Sequence, residues 1–387
     1  MSWPDRIDQR LDVIRGEGRW REYRDFDAWG PHGTLTATDS KVVSFASNDY
    51  LGLTVHPEVI AAAHAALDRW GTGSGGARLV TGARPVHREL ETELAAWKET
   101  ERAVLFPTGF AANLGVLTAL GTADVHVVSD SRNHASIIDG TRLAKATVSI
   151  WRHNDLAELE RLVTAGNAPT LVVADSVFSM DGDVLDVAAV ADLCRRTGAL
   201  LVLDEAHAVL GPHPTTAELA GVEVVRVGTL SKTLGSLGGF VACSHRVADL
   251  LVNVARSGIF TTAPSPADTA AALAALAIVR SAEGDELMAT LRRHVDRIQL
   301  AHPSPIIPIV LGDEELALDA TNQLLEQGLL VPAIRPPTVA PGSSRLRVTL
   351  SAAHSDDDVD RLADALAQFA NGLQWPDITA QPKAATA

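Results

Sequence analysis

Val224-Val225-Arg226-Val227-Gly228-Thr229-Leu230-Ser231-Lys232-Thr233-Leu234-Gly235-Ser236-Leu237-Gly238-Gly239 is the stretch on which the fold turns. Its β-branched start reads as a buried strand that runs out into a lysine set among hydroxyls and glycines. Upstream, Ala199-Leu200-Leu201-Val202-Leu203 reads as a second strand, which delivers Asp204 and then His207 at its carboxyl end. In an open parallel sheet, ligands bind in the crevice outside those ends.

An amine and a carboxylate meeting there suit one cofactor above others. Pyridoxal phosphate (PLP) needs an amine for its Schiff base and a carboxylate to keep its ring nitrogen protonated. Taken alone, Lys232 reads as a solvated loop lysine, as most lysines are; its pairing with Asp204 is what favours PLP.

The flanking sequence alternates strand and helix. Strands are expected at 103–107, 124–130, 147–153 and 171–174. Helices are expected at 109–121, at 156–165 behind the cap Asp155, and at 187–197 closed by Gly198. Such βα repetition implies an α/β fold, a large mostly parallel sheet domain with helices on both faces. Beyond about residue 280 strands at 306–311 and 346–350 and helices at 315–327 and 356–369 read as a smaller α+β domain. The expected organisation is an N-terminal arm at 1–50 packing on the small domain, a large domain at 51–280, a small domain at 281–370 and a disordered tail at 371–387.

Composition bounds the function. The chain has 387 residues, 46% hydrophobic and 21% charged, which suits a globular protein with one large core and a smaller one. A net charge of −15 argues against nucleic acid or an anionic membrane as a partner. Cys194 and Cys243 make no disulfide framework and too few ligands for structural zinc. The start leads into a charged amphipathic helix rather than a signal peptide, and no apolar run approaches a membrane span, so a reducing cytoplasm is the default compartment.

A phosphate site is sought independently. Thr108-Gly109-Phe110-Ala111-Ala112-Asn113 follows a strand and opens a helix, where free N–H groups and the macrodipole attract an anion. An ordinary strand-to-helix turn is the other reading. No Walker-type loop appears, and Gly73-Ser74-Gly75-Gly76 is not fed by a strand. His134, after a strand end, has three readings: stacking on a flat ring, ligating metal, or capping a helix. A metal set of Asp204, His207 and His134 leaves Lys232 and the phosphate turn unexplained, so no metal is expected.

Strings in a fixed order complete the picture: Ser47-Asn48-Asp49-Tyr50-Leu51-Gly52, Gly73-Ser74-Gly75-Gly76, Thr108-Gly109-Phe110-Ala111-Ala112-Asn113 and Asn133-His134-Ala135-Ser136. Phe178-Ser179-Met180-Asp181-Gly182-Asp183, Asp204-Glu205-Ala206-His207, Thr229-Leu230-Ser231-Lys232 and Ile334-Arg335-Pro336-Pro337-Thr338-Val339 follow. From about residue 3 to 369 the chain resembles the α-oxoamine synthases, fold-type I PLP-dependent transferases, in their biotin-synthesis branch.

The resemblance implies a role for each matching residue. Lys232 is the Schiff-base lysine and later the base, Asp204 pairs with the ring nitrogen, and His134 stacks on the ring. His207 and Ser179 hold the phenolic oxygen; Gly109, Phe110 and Thr229 bind the phosphate, which Thr262 reaches from the partner of a homodimer with a shared active site. Arg347 grips the amino-acid carboxylate, and Arg21, Asn48 and Thr338 match substrate-contacting positions. The implied reaction condenses L-alanine with a pimeloyl thioester. Sister enzymes using glycine with acetyl- or succinyl-coenzyme A, an aminotransferase or lyase on the same fold, and a PLP-binding regulator are the alternatives. Two departures from the family pattern stand out: the stretch 293–305 is short, and Ala208 follows His207.

Overall fold

In the computed structural model, which describes residues 1–372, the lysine strand is the third in a seven-stranded sheet. The arm contributes β1 (Phe26–Trp29), β2 (His32–Leu35) and β3 (Ser40–Ser44). Next come β4 (Arg102–Phe106), β5 (His126–Asp130), β6 (Thr147–Trp151), β7 (Thr170–Asp175), β8 (Leu200–Asp204), β9 (Val224–Thr229) and β10 (Gly239–Cys243). The C-terminal region adds β11 (Ile306–Gly312), β12 (Leu329–Leu330), β13 (Ala333–Ile334) and β14 (Ser344–Thr349). The large sheet runs in the order β4-β10-β9-β8-β7-β5-β6.

The central strands are continuous apolar runs because both of their faces are covered. Leu171 and Val173 of β7, with Val202 of β8, face one core, filled by Val116 and Leu117 of helix Gly109–Leu120 and Leu251 of helix His245–Val254. Val172, Ala174, Leu201 and Leu203 alternate onto the other, filled by Leu159 and Val190 of helices Leu156–Val163 and Val187–Thr197. The helix ends obey local chemistry. Asp155 accepts from Glu158 N at 3.0 Å, and Gly198 closes its helix at φ 72°.

Within the large sheet, one strand was not expected. After Lys232 the chain doubles back through a tight loop, in which Leu230 N donates to Gly238 O at 2.9 Å, and returns as β10. β10 is antiparallel to both β9 and β4 and is the sheet's exception. Its glycine-rich lead-in reads as loop, yet Gly228 is needed there: a Cβ on it would meet the Phe240 ring at 2.4 Å.

The arm is tied to the C-terminal region by backbone pairing. β3 runs parallel to β12, with Val43 opposite Leu329, while β11, β14 and β13 form a separate antiparallel sheet. Helix Asp356–Gly372 carries the chain past the expected start of the tail; the remainder, 373–387, lies outside the described residues. No helix among the described residues is long and apolar enough to cross a membrane. Ser304 and Ile306 sit against Gly182, where a Cβ would meet Ile306 O at 1.9 Å.

That contact helps hold the loop 176–184, which joins the two sheets electrostatically. Asp181 pairs with Arg345 of β14 and, at 3.0 Å, with Arg132. His153 bridges Asp130 of β5 at 3.0 Å and Asp183 of the loop at 2.5 Å. Burial opposes the imidazolium, but the bonds to Asp130 and Asp183 outweigh it and raise its pKa from 6.5 to about 9. Because the folded value lies above the unfolded one, the tie contributes fully below about pH 6.5 and is lost as pH rises through about 9. His153→Gln should therefore cost about 1–3 kcal/mol at pH 6.5 and far less at pH 10, read from urea midpoints. A gap that stays constant with pH would show that the charge on His153 does nothing for stability.

Candidate active site

The carboxyl ends of β7, β8 and β9 deliver Asp175, Asp204 and, just beyond the strand, Lys232 to one cavity of about 220 Å³. The turn at 108–113 and the residues His134 and Ser136 supply its other walls. This is the strand-end crevice expected of a parallel sheet.

Lys232 Nζ lies 2.9 Å from His207 Nε2, and Tyr50 Oη lies 2.5 Å from His207 Nδ1. Burial lowers the Lys232 pKa; Asp204 and Asp175 resist that shift and Arg347 adds to it. The amine is thereby pushed toward its neutral, nucleophilic form. His207 is pulled well below the ordinary histidine value by burial and by the cations Lys232 and Arg347, so its imidazole is neutral. The chain of contacts continues outward: Tyr50 Oη donates to Asn48 Oδ1 at 3.3 Å, which also accepts from Arg347 Nη2 at 3.2 Å.

Arg347 is buried and held on three sides. Its Nε donates to Ser179 O at 2.6 Å and its Nη1 to Thr349 Oγ1 at 2.8 Å. A guanidinium carries five N–H donors, so with Asn48 these bonds leave one hydrogen on each Nη, a pair matched to a carboxylate.

Asp204 accepts from Asn113 Nδ2 at 2.6 Å and from Ala206 N at 2.9 Å. Asp175 stands opposite it in the β7–β8 register and accepts from His134 N at 2.8 Å. Burial raises the Asp175 pKa well above the carboxylate range, and the charge of Asp204 raises it further. His134 is lowered by desolvation in the cleft, with Asp204 opposing and Lys232 adding to that shift. Its Nδ1 accepts from Ser136 N at 3.2 Å.

The turn at 108–113 opens a helix, as expected. Thr108 Oγ1 caps the helix by accepting from Ala111 N at 3.0 Å. Gly109 lies close to β9, since a Cβ on it would meet Thr229 Cβ at 3.3 Å. Thr229 Oγ1 donates to Gly238 O at 3.0 Å, and Phe110 stands edge-on to His134 with ring centroids 6.5 Å apart. A helix start, a half-buried amine and a hydrogen-bonded carboxylate around one cavity fit the phosphate, aldehyde and ring nitrogen of PLP.

Other expected residues stand apart from the cavity lining. Asn48, Ser179 and Arg347 do not line it; they are joined to one another, since Arg347 donates to Ser179 O and to Asn48 Oδ1. Thr262 is exposed, in a segment pinned where Ala263 N donates to Gly76 O at 3.0 Å. Arg21 and Thr338 are also exposed; their segments are neighbours, because Arg335 Nη1 donates to Gly18 O at 3.4 Å. Tyr50, Asn113, Ser136 and Asp175 carried no role in the sequence reading. Asp175 was findable, for it ends its apolar strand just as Asp204 does.

A family model described as aminotransferase class I and II matches residues 40–366. The chain is 47% identical over 333 residues to an 8-amino-7-oxononanoate synthase of Methylobacterium sp. (strain 4-46), covering 84% of this chain and 86% of that one. It is 44% identical over 382 residues to the enzyme so named in Burkholderia mallei (strain SAVP1), covering 93% and 96%. A solved serine palmitoyltransferase variant from S. paucimobilis, holding a PLP–myriocin aldimine, superposes with a TM-score of 0.86 at 25% identity over 96% of this chain and 99% of that one.

Among nearby lysines, Lys232 is set apart from Lys98, which is buried against Glu205 at 2.8 Å. Borohydride reduction of the PLP-loaded protein should bleach its visible band and leave a pyridoxyl adduct on the Lys232 peptide in mass mapping. An adduct on Lys98 or Lys145 would remove Lys232 from the site.

Proposed function

This chain belongs to the class I and II aminotransferase family and, within it, to the 8-amino-7-oxononanoate synthases, and we propose that it condenses L-alanine with a pimeloyl thioester. The products are 8-amino-7-oxononanoate, the free thiol and carbon dioxide, a step of biotin synthesis. It is an acyltransferase whose cofactor is PLP.

When bound, PLP supplies an electron-withdrawing ring that stabilises negative charge at the substrate α-carbon. Asp204 keeps the ring nitrogen protonated, and His134 covers one face of the ring against water. Gly109, Phe110 and Thr229 hold the phosphate at the helix start. His207 and Ser179 would hold the side of the phenolic oxygen. Lys232 Nζ, whose neutral form burial favours, takes the alanine Cα proton. Arg347 grips the alanine carboxylate with its two unused hydrogens and orients the bond that breaks as carbon dioxide leaves. Asn48, Arg21 and Thr338 contact the substrates, and the active species is a homodimer in which Thr262 of one copy reaches its neighbour's phosphate.

The observation that carries this reading is the meeting of Lys232 and Asp204 in one cavity, with Arg347 tied to Lys232 through Asn48, Tyr50 and His207. Free-thiol release with a panel of amino acids and acyl thioesters tests it. Alanine with pimeloyl-coenzyme A should exceed glycine with acetyl- or succinyl-coenzyme A by at least about 10-fold, the discrimination one methyl group supports. A preference for glycine would move the protein to a sister synthase, and amino transfer without thiol release would remove it from the synthases altogether.

A further inference from the structure

Two buried carboxylates side by side at the ends of β7 and β8 cannot both carry a full charge at low cost. Something must decide which one does. We propose that Asn113 decides how charge is divided between Asp204 and Asp175, and that through the Ser136 hydroxyl it reinforces the Nε2–H tautomer of His134. The first half rests on the reading of Asp204 as partner of the ring nitrogen; the second half does not.

The geometry is directional. Asn113 is almost wholly buried at 1% exposure, and both hydrogens of its Nδ2 are engaged, with Asp204 Oδ2 at 2.6 Å and Ser136 Oγ at 2.9 Å. A flipped amide would set its oxygen 2.6 Å from a carboxylate, so the orientation is decided by charge. Asn113 Oδ1 is left buried without a partner, a cost that an amide serving only to fill space has no reason to carry. Ser136 N donates to His134 Nδ1 at 3.2 Å, so that nitrogen bears no hydrogen and Ser136 Oγ, 2.7 Å from it, donates to it while accepting from Asn113. Neutral His134 therefore carries its hydrogen on Nε2.

The carboxylates are treated unequally. Asp204 accepts from Asn113 and Ala206 N, whereas Asp175 accepts from His134 N. Around the pair stand Lys232, His134, His207 and Arg347, together with the carboxylate of Asp130. None of these other groups donates a hydrogen bond from its side chain to Asp204. Asn113 is thus the side chain that favours charge on Asp204 over Asp175. It is a positioning residue: it acts through Asp204 and His134.

The test is nitrogen NMR of the holoenzyme loaded with ¹⁵N-labelled PLP and grown on ¹⁵N-histidine, with His134→Gln used to assign the His134 signals. The wild type should show a protonated ring nitrogen and the Nε2–H tautomer of His134. In Asn113→Ala the ring-nitrogen signal should move toward the unprotonated range, and alanine α-proton exchange should slow by roughly 10- to 100-fold, the worth of a hydrogen bond to a charged group. Ser136→Ala removes the hydroxyl bond to His134 Nδ1 but keeps the backbone one, so it should weaken the Nε2–H preference and leave the ring nitrogen protonated, which keeps the proposal testable if Asn113→Ala does not fold. A folded Asn113→Ala holoenzyme with both signals unchanged would overturn the proposal, as would an Nδ1–H tautomer in the wild type. An unprotonated ring nitrogen already in the wild type would instead overturn the role of Asp204, and the charge division with it.

Discussion

Asp175, Asp204 and Lys232 share the buried carboxyl ends of three neighbouring strands, and holding ionisable groups there constrains everything packed around them. Charge removed from water is costly unless it is hydrogen-bonded or neutralised. The chain meets this differently at each position. Asp204 receives two hydrogen bonds, Asp175 is driven toward its neutral form, and Lys232 toward a free amine that meets a neutral His207. The reactive character of Lys232 is thus a consequence of burial, not of any special property of the lysine.

The scaffold around these ends is stiffened by buried ions packed behind and beside them. Glu205 follows Asp204 directly, so it points away from the site, and it is buried between Lys98 at 2.8 Å and Arg226 at 2.7 Å. Arg226 also donates to Lys98 O at 2.8 Å, stapling β9 to the end of helix Pro85–Trp97. On the other side, Arg345 and Arg347 of β14 reach into the loop 176–184, joining the C-terminal sheet to the strand ends. Two adjacent acidic residues therefore divide chemistry from architecture.

Local patterns in the sequence carried most of the fold. Continuous apolar runs revealed β7, β8 and β9, and single residues such as Asp155 and Gly198 marked helix ends, because the forces involved act within a few positions. β10 escaped notice because its identity depends on pairing with β4 and β9 across a glycine-rich turn. The arm strands β1 to β3 escaped because they are short and are stabilised by each other and by β12. At the site, Lys232 and Asp204 were legible as polar residues ending apolar strands. Tyr50 and Asn113 stood inside noticed strings, but their partners lie 157 and 91 positions away, beyond the reach of any local rule.

The central claim is that Asp204, held as a carboxylate at the end of β8, makes the cofactor an acceptor for the electrons of the substrate α-carbon. Asp204→Asn nearly preserves shape and removes the charge, while PLP should still bind through Lys232 and the turn at 108–113. In a variant shown to hold full cofactor, deuterium exchange at alanine Cα followed by NMR isolates that single step. The account predicts a slowing of about 10²-fold or more, roughly 3 kcal/mol at the transition state. Exchange at a near-normal rate would contradict it.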